Sequence, residues 1–199
     1  MDQEAKQAIQ ENYRNLLVKH GSGPEVGQWS REGQLFRFEK LIQICNLNDL
    51  HVLDLGCGIG DLYPFLQKRF RGVDYTGVDI SPELIAEARK QHPAARFFCR
   101  DLQEDDINES FDVVLISGIF NNAMPNCTQF LKDMISLAFR HSSVALGFNF
   151  ISRHVNFQSP EMACHDPAEI LDFCIANLTR KVTLCHHYER CDVAVFAYR

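Results

Sequence analysis

Three glycines at alternating positions form the first candidate binding site in the sequence. Gly56, Gly58 and Gly60 follow the apolar run 51–55, whose fourth residue is Asp54. Glycine has no Cβ, so the chain can turn sharply here and a ligand can approach the backbone closely. Similar loops bind phosphates and dinucleotides in several folds. This loop alone therefore indicates a small-molecule ligand without specifying which one.

Polar side chains follow the next three predicted strands. Asp79 ends the second strand, where a carboxylate can accept hydrogen bonds from both hydroxyls of a ribose. Asp101 follows the third strand and is placed to accept a hydrogen bond from an adenine amino group, and Ser117 and Gly118 follow the fourth. Ligands of parallel sheets bind beyond the carboxyl ends of the strands. We therefore expect these residues to surround one crevice.

Alternating strands and helices are predicted to position these residues. The predicted helices cover 1–20, 31–45, 61–70, 82–92, 127–140 and 167–176, and the predicted strands cover 51–55, 74–79, 96–100, 111–117, 143–150, 181–185 and 192–198. This order predicts an α/β, Rossmann-like fold: a seven-stranded, mostly parallel sheet with helices on both faces and an antiparallel C-terminal hairpin. Residues 1–199 are predicted to form one domain, with N-terminal helices acting as a lid (1–46) and a Rossmann-like core (47–199).

Composition and charge narrow the classes of function. Hydrophobic residues make up 46% and charged residues 23% of the chain, as in ordinary globular proteins. The net charge is −6 and no cluster of lysine or arginine stands out, which argues against a nucleic-acid partner. No apolar run approaches the ~20 residues of a membrane span, and the N-terminus is unlike a signal peptide. We expect a cytoplasmic monomer or homodimer with no membrane contact.

The cysteines are predicted to be reduced thiols rather than disulfides or metal ligands. None of the eight is paired at CxxC spacing, and no export signal is present. Cys185, His186, His187 and Cys191 are residue types that bind metals, but the paired spacing of a structural zinc site is missing. We interpret them as a strand end, a turn and a strand start, and predict no metal.

The residues from about 50 to 118 resemble the class I S-adenosylmethionine-dependent methyltransferases. The family's first motif is matched by 54–60, the second by 77–81, and the third by Asp101 and Leu102. The resemblance implies S-adenosyl-L-methionine as cofactor and S-adenosyl-L-homocysteine as product. It places Asp79 on the ribose and Ile80 on the adenine. The implied cofactor-binding residues are Asp54, Gly56, Cys57, Gly58, Asp79, Ile80, Asp101, Leu102, Ser117 and Gly118.

The N-terminal segment resembles, less specifically, a subset of small bacterial methyltransferases. The resemblance implies that Arg37 or Gln34 reaches the cofactor's carboxylate, which a guanidinium can bind with two parallel hydrogen bonds. It also implies that Tyr13, His20 and Trp29 belong to a lid over the acceptor. In the competing interpretation, Arg37 is a surface helix residue and Trp29 packs at the edge of the core. The sequence leaves both open.

Methyl transfer from a sulfonium is an in-line displacement, so the rate should depend mostly on alignment in a dry pocket. A general base is needed only if the acceptor must lose a proton. We predict His154, Asn121 and Asn149 as catalytic residues, with His154 as the first choice. Further candidates are Asn122, His165, His186 and His187.

The residues after the fourth strand narrow the acceptor class. They lack an Asn/Asp-Pro-Pro-aromatic motif, a Pro-Cys nucleophile and an acidic metal-ligand pattern. The remaining acceptor is a small-molecule metabolite methylated on oxygen or nitrogen. Three alternatives stay open: a protein or RNA methyltransferase working with a partner, a cofactor-binding domain without catalysis, and a dehydrogenase.

Overall fold

The structure, a computed structural model, describes residues 3–105, 107–156, 159–186 and 192–199. The helices are α1 (Gln3–His20), α2 (Arg31–Leu41), α3 (Leu62–Arg69), α4 (Pro82–Gln91), α5 (Cys127–Arg140) and α6 (Pro167–Asn177). The strands are β1 (His51–Leu55), β2 (Asp74–Asp79), β3 (Arg96–Cys99), β4 (Phe111–Ile116), β5 (Ser142–Ile151), β6 (Val182–Cys185) and β7 (Asp192–Tyr198). Across these residues, no helix is both long and apolar enough to span a membrane.

All seven strands form one sheet in the order β3-β2-β1-β4-β5-β7-β6. The neighbours from β3 to β5 pair in parallel, whereas β7 runs antiparallel to both β5 and β6. The predicted seven-stranded, mostly parallel sheet with an antiparallel C-terminal hairpin is confirmed. The strand order reverses between β1 and β4, so the carboxyl ends of these strands flank a crevice.

Helices cover both faces of the sheet because its central strands are apolar on both sides. In β4, Val114 and Ile116 belong to the core that packs under α5 and α6. The alternate residues Val113 and Leu115 belong to the core under α2, α3 and α4. This alternation follows from the two-residue repeat of a β-strand. The buried strands fix the positions of the loops at their carboxyl ends.

The structure refines several local details of the predicted elements. The second helix ends as an α-helix at Leu41 and continues as a 3₁₀ helix, Ile42–Ile44. Ser81 occupies the N-cap position of α4, but its side chain forms no hydrogen bond to the helix backbone. The connection after β5 contains an isolated bridge between Ser152 and His165. Asp166 caps α6, because it accepts a hydrogen bond from a backbone N–H in the first turn.

Candidate active site

A cavity of roughly 1250 Å³, its open mouth included, lies beyond the carboxyl ends of β1, β2 and β4. It collects most of the residues singled out in the sequence. The predicted residues that line it are Tyr13, Trp29, Gln34, Arg37, Asp54, Gly56, Cys57, Gly58, Asp79, Ile80, Asp101, Leu102, Ser117, Gly118 and Asn122. Among the described residues, the predicted His20, Asn121, Asn149 and His154 do not line it. The motif residues and two of the three lid residues thus meet at one place.

The glycine loop after β1 has a backbone that favours glycine throughout. Gly56, Gly58 and Gly60 have φ angles of 78°, 55° and 83°, which other residues rarely adopt. A Cβ on Gly56 would overlap the side chain of Ile119, whereas a Cβ on Gly58 would meet no atom within 4 Å. The loop is therefore packed against protein at Gly56 and open to the cavity at Gly58.

Asp79, at the end of β2, has a carboxylate held by backbone N–H groups. Gly58 N donates to Oδ2 at 2.9 Å, and Ser81 N donates to Oδ1 at 2.8 Å. Desolvation inside the protein raises the pKa of Asp79, and the N–H donors act in the opposite direction. These two bonds fix the orientation of the carboxylate at the cavity wall.

Asp54, in β1, is a buried carboxyl group with one side-chain partner. The Tyr75 hydroxyl donates a hydrogen bond to Oδ2 at 2.7 Å. Burial raises the pKa of Asp54 to about 7, although the Tyr75 hydrogen bond favours the ionised form. The charge of this group therefore changes near neutral pH, rather than near pH ~4 as for an exposed aspartate.

Asp101, after β3, contacts the N-terminal helix. Lys6 Nζ lies 2.9 Å from Asp101 Oδ2 and 3.0 Å from Glu104 Oε2. The hydrogen bond to Asp101 is the main reason why the pKa of Lys6 is raised. The carboxylate that the sequence assigned to an adenine amino group is thus also an ion-pair partner of α1.

Helix α1 lies along the mouth of the cavity without fully burying any of its own residues. Tyr13 lines the cavity, whereas His20 is exposed at the end of the helix. Polar contacts join the helix to the cavity rim. They are Lys6 Nζ to Asp101 Oδ2 at 2.9 Å, Gln10 Nε2 to the Ile80 carbonyl at 2.6 Å, and Arg14 Nε to Glu83 Oε1 at 2.6 Å. The helix has the placement expected of a lid.

The guanidinium of Arg37 forms a buried ion pair with Asp192, the first residue of β7. Nε donates to Oδ1 at 2.9 Å and Nη2 to Oδ2 at 2.8 Å. The Arg37 Cζ atom lies 3.5 Å from the centre of the Trp29 ring, a cation–π contact. The surface interpretation of Arg37 is wrong. Because two parallel hydrogen bonds of Arg37 go to Asp192, the predicted contact with the cofactor's carboxylate depends on its remaining N–H groups. The side-chain amide of Gln34, the other residue predicted for that contact, donates to Asp61 at 2.8 Å.

Asn149, in β5, holds the turn after β4 through a hydrogen bond to the backbone of that turn. Its Oδ1 accepts a hydrogen bond from Gly118 N at 2.9 Å. Gly118 has a φ of 85°, and a Cβ there would lie 3.1 Å from the Trp29 ring. Since Asn149 contacts the cavity wall and not the cavity, the structure gives it a positioning contact rather than a catalytic one.

The histidines suggested as bases lie away from the cavity or outside the described residues. His154 is exposed, and its ring centre lies 6.2 Å from that of His186. His187 and Cys191 belong to the part of the chain that the structure does not describe. A catalytic role for His154 would therefore require the segment after β5 to move towards the cavity.

Two further candidates are buried in the loops next to the cavity. Asn121 is 6% exposed, and neither atom of its amide forms a hydrogen bond within the described residues. His165 lies with Nε2 3.0 Å from the Phe120 carbonyl and Nδ1 3.1 Å from Thr128 Oγ1. Burial lowers the pKa of His165, so the neutral ring donates to the carbonyl and accepts from the hydroxyl. His165 therefore has a structural role.

Two residues of the site were missed in the sequence. Tyr75 bonds to Asp54 from the neighbouring strand, where Asp54 pairs with Gly77. Because Tyr75 and Gly77 lie on the same face of β2, the two-residue repeat could have indicated this partner. No pattern in the sequence indicates that Asp192 pairs with Arg37. The two residues are far apart along the chain, and only the order of the strands brings them together.

Comparisons with known proteins agree with this geometry. The family described as a methyltransferase domain (Methyltransf_12) matches residues 53–138. A Mycobacterium tuberculosis protein named as a methyltransferase, Rv1506c, is 29% identical over 160 residues, which are 74% of this chain and 92% of that protein. These matches support a class I S-adenosylmethionine-dependent methyltransferase.

Two further proteins are similar to this methyltransferase over part of its sequence or in fold. Trans-aconitate 2-methyltransferase of Escherichia coli is 31% identical over 112 residues, 54% of this chain, and the chain spans only 42% of that protein. The fold matches magnesium protoporphyrin IX methyltransferase (ChlM) from Synechocystis PCC 6803, solved with bound S-adenosylmethionine, at a TM-score of 0.68 and 20% identity. That match covers 98% of this chain and 96% of the other.

S-adenosylmethionine is the cofactor of the methyltransferase, and the cavity suits its chemistry. The cofactor carries a positive sulfonium and ammonium group, and carboxyl groups line the cavity at Asp54, Asp61, Asp79 and Asp101. Its ribose hydroxyls are donors that match the fixed carboxylate of Asp79. The open space at Gly58 lets a ligand approach the backbone. The carboxyl groups of the cavity, the fixed acceptor at Asp79 and the open space at Gly58 therefore fit the cofactor.

The affinity of the methyltransferase for S-adenosylhomocysteine is expected to fall about tenfold from pH 8 to pH 6. Because the pKa of Asp54 is about 7, the carboxyl group becomes neutral below that pH and no longer attracts the ligand's ammonium group. Isothermal titration calorimetry at the two pH values measures this change. Asp54→Asn should weaken binding at pH 8 and remove the dependence, and Asp74→Asn, at the exposed start of β2, is the control. An equal pH dependence in wild type and Asp54→Asn would contradict the assignment.

Proposed function

We propose that this methyltransferase transfers the methyl group to an oxygen or nitrogen of a small-molecule metabolite by in-line displacement. The part of the cavity beyond its carboxylates carries the proposal, because it is largely apolar and aromatic. Its lining includes Val26, Trp29, Phe38, Ile119, Phe130 and Met134. Concave apolar sites with a few polar groups are typical of small-molecule binding. The E. coli relative also acts, by its name, on a small molecule.

The residues of the chain are proposed to bind and align the two reactants. S-adenosylmethionine supplies an electrophilic methyl group on its sulfonium. Asp79 binds the ribose, and Asp101 reads the adenine amino group between Ile80 and Leu102. The methionine part is assigned to Asp54, Gly56, Cys57, Gly58 and Arg37, and Ser117 and Gly118 complete the wall. Tyr13 and Trp29 face the acceptor, where excluding water favours the displacement.

The three residues predicted to be catalytic differ in how they contact the cavity. Asn149 is proposed to act through the backbone of Gly118, which it holds at 2.9 Å. Asn121 and His154 remain predictions, because neither lines the cavity in the described part of the chain. We also propose that the single unit 1–199 works as a monomer or homodimer in the cytoplasm, without nucleic acid. Gel filtration combined with light scattering measures the oligomeric state.

Transfer of isotope-labelled methyl groups tests the proposal. The protein is incubated with methyl-labelled S-adenosylmethionine and an extract of the source organism, which is then separated by molecular size. Label that appears only with protein, and only in the small-molecule fraction, is expected. Label in the protein or RNA fraction would show that the acceptor is a macromolecule and would favour a methyltransferase working with a partner. No label, with cofactor binding intact by calorimetry, would favour a binding domain without catalysis.

A further inference from the structure

Hydrogen-bond donors face the apolar part of the cavity. Asn122 Nδ2 donates to the Tyr13 hydroxyl oxygen at 3.2 Å. That hydroxyl oxygen therefore accepts, and its own hydrogen has no acceptor among the described residues. The indole N–H of Trp29, which also lines the cavity, forms no hydrogen bond within the same residues. The Tyr13 hydroxyl, the second N–H of the Asn122 amide and the Trp29 indole N–H are thus available to a bound molecule.

The Tyr13 hydroxyl is a donor rather than a base. Desolvation raises the pKa of Tyr13, and the negative charge of Asp79 raises it further. The hydrogen bond from Asn122 opposes this shift but is the smaller effect. Tyr13 therefore keeps its proton at neutral pH and can offer it to an oxygen of the acceptor.

Other polar groups near this part of the cavity are already bonded. Arg37 pairs with Asp192, and Gln34 donates to Asp61. No histidine or lysine occurs among the described residues that line the cavity. The carboxyl groups that line the cavity are assigned to the cofactor at Asp54, Asp79 and Asp101, and Asp61 accepts from Gln34. The part of the site that faces the acceptor therefore offers donors to a group with lone pairs and little to remove a proton.

We propose that the acceptor group is a carboxylate, bound by the Tyr13 hydroxyl and the Asn122 amide. This inference rests on the proposed function and narrows its acceptor class. A carboxylate is already ionised at neutral pH, since its ordinary pKa is about 4. Its oxygen forms the new O–CH₃ bond while the bond from sulfur to methyl breaks, the electron pair stays on sulfur as a thioether, and no proton is transferred. The product is a methyl ester.

Alkali treatment identifies the type of methyl bond even while the acceptor itself is unidentified. The small-molecule fraction from the labelling reaction is heated in dilute sodium hydroxide, and volatile label is collected. Methyl esters release labelled methanol, whereas N-methyl groups and aryl methyl ethers keep their label. A reaction without extract gives the background from the cofactor. Volatile label supports the proposal, and alkali-stable label overturns it while the proposed function stands. Absence of small-molecule label overturns both.

Two variants of the proposed contacts separate acceptor binding from cofactor binding. Tyr13→Phe should lower kcat/KM for the labelled fraction about tenfold, as expected for one lost hydrogen bond to a charged group. Asn122→Asp adds a negative charge and should lower it at least as much. The calorimetric Kd for S-adenosylhomocysteine should stay within about twofold of wild type in both. Tyr63→Phe is the control, because Tyr63 packs on Tyr75 outside the cavity.

The results that would contradict these assignments can be told apart from one another. Wild-type kcat/KM in both variants would overturn the assignment of Tyr13 and Asn122. Equal losses of acceptor and cofactor affinity would give them a role in cofactor binding instead. With cofactor saturating, kcat/KM should be flat between pH 7 and 9, because a carboxylate needs no deprotonation there. A tenfold rise for each pH unit would indicate an acceptor that must lose a proton, and would overturn the proposal.

Discussion

Replacing Arg37 with methionine is expected to lower the free energy of unfolding by about 3–5 kcal/mol. The guanidinium is the bidentate partner of Asp192, and both side chains are at most 10% exposed. Methionine fills much of the same space but leaves the carboxylate of Asp192 inside the protein without this cation. Urea denaturation of wild type and variant, followed by circular dichroism, measures the difference.

A surface arginine provides the matched control for this loss. Arg14 forms an ion pair with Glu83, but 54% of its side chain is exposed. Exposed pairs contribute about 1 kcal/mol or less, so Arg14→Met should change stability little. Adding Asp192→Leu to Arg37→Met removes the buried carboxylate that has lost its cation and should restore part of the loss. Equal effects of Arg37→Met and Arg14→Met would show that the buried pair does not stabilise the fold.

Replacing Asp79 with alanine is expected to weaken cofactor binding by one to two orders of magnitude. A hydrogen bond to a charged group contributes about 1.5–3 kcal/mol. The variant also loses the carboxylate that accepts from the backbone N–H groups of Gly58 and Ser81. Calorimetric titration with S-adenosylhomocysteine at pH 8 gives the two dissociation constants directly.

The start of the same strand supplies a control for Asp79→Ala. Asp74 is exposed, and its carboxylate lies 3.5 Å from Arg96 at the end of β2 away from the cavity. Asp74→Ala should leave the affinity for cofactor unchanged. If Asp79→Ala also binds with wild-type affinity, the ribose is bound elsewhere and the assignment carried by the second motif is wrong.

The sheet and the lining of the cavity could be predicted because their signals in the sequence are local. An apolar run followed by glycines specifies both a buried strand and the turn after it, as at Gly56, and parallel strands bring successive carboxyl ends to one edge. Asp79 therefore lies near Gly58 for reasons visible within one strand–helix–strand unit. The C-terminal hairpin was predictable in the same way, from two short apolar runs and a turn.

The contacts between distant segments could not be predicted. Arg37 and Asp192 meet because β7 inserts between β5 and β6, and an isolated helix and strand do not specify that order. The same holds for Lys6 and Asp101, which are joined across the cavity mouth. The prediction of His154 depends on its place after β5, yet its side chain is exposed in the structure. Its role remains a prediction.

Helix α1 and the core of the sheet are expected to tolerate substitutions independently. Helix α1 buries none of its residues completely and is joined to the cavity rim by polar side chains such as Lys6 and Gln10. Its Tyr13 and Leu17 are partly buried against a small apolar cluster separate from the two cores of the sheet. Substitutions on the helix therefore leave the packing of the sheet intact, whereas substitutions in β1 or β4 do not. Substitutions that change the charges of this helix are therefore expected to alter how fast ligands enter and leave. The cost to the stability of the catalytic domain would be small.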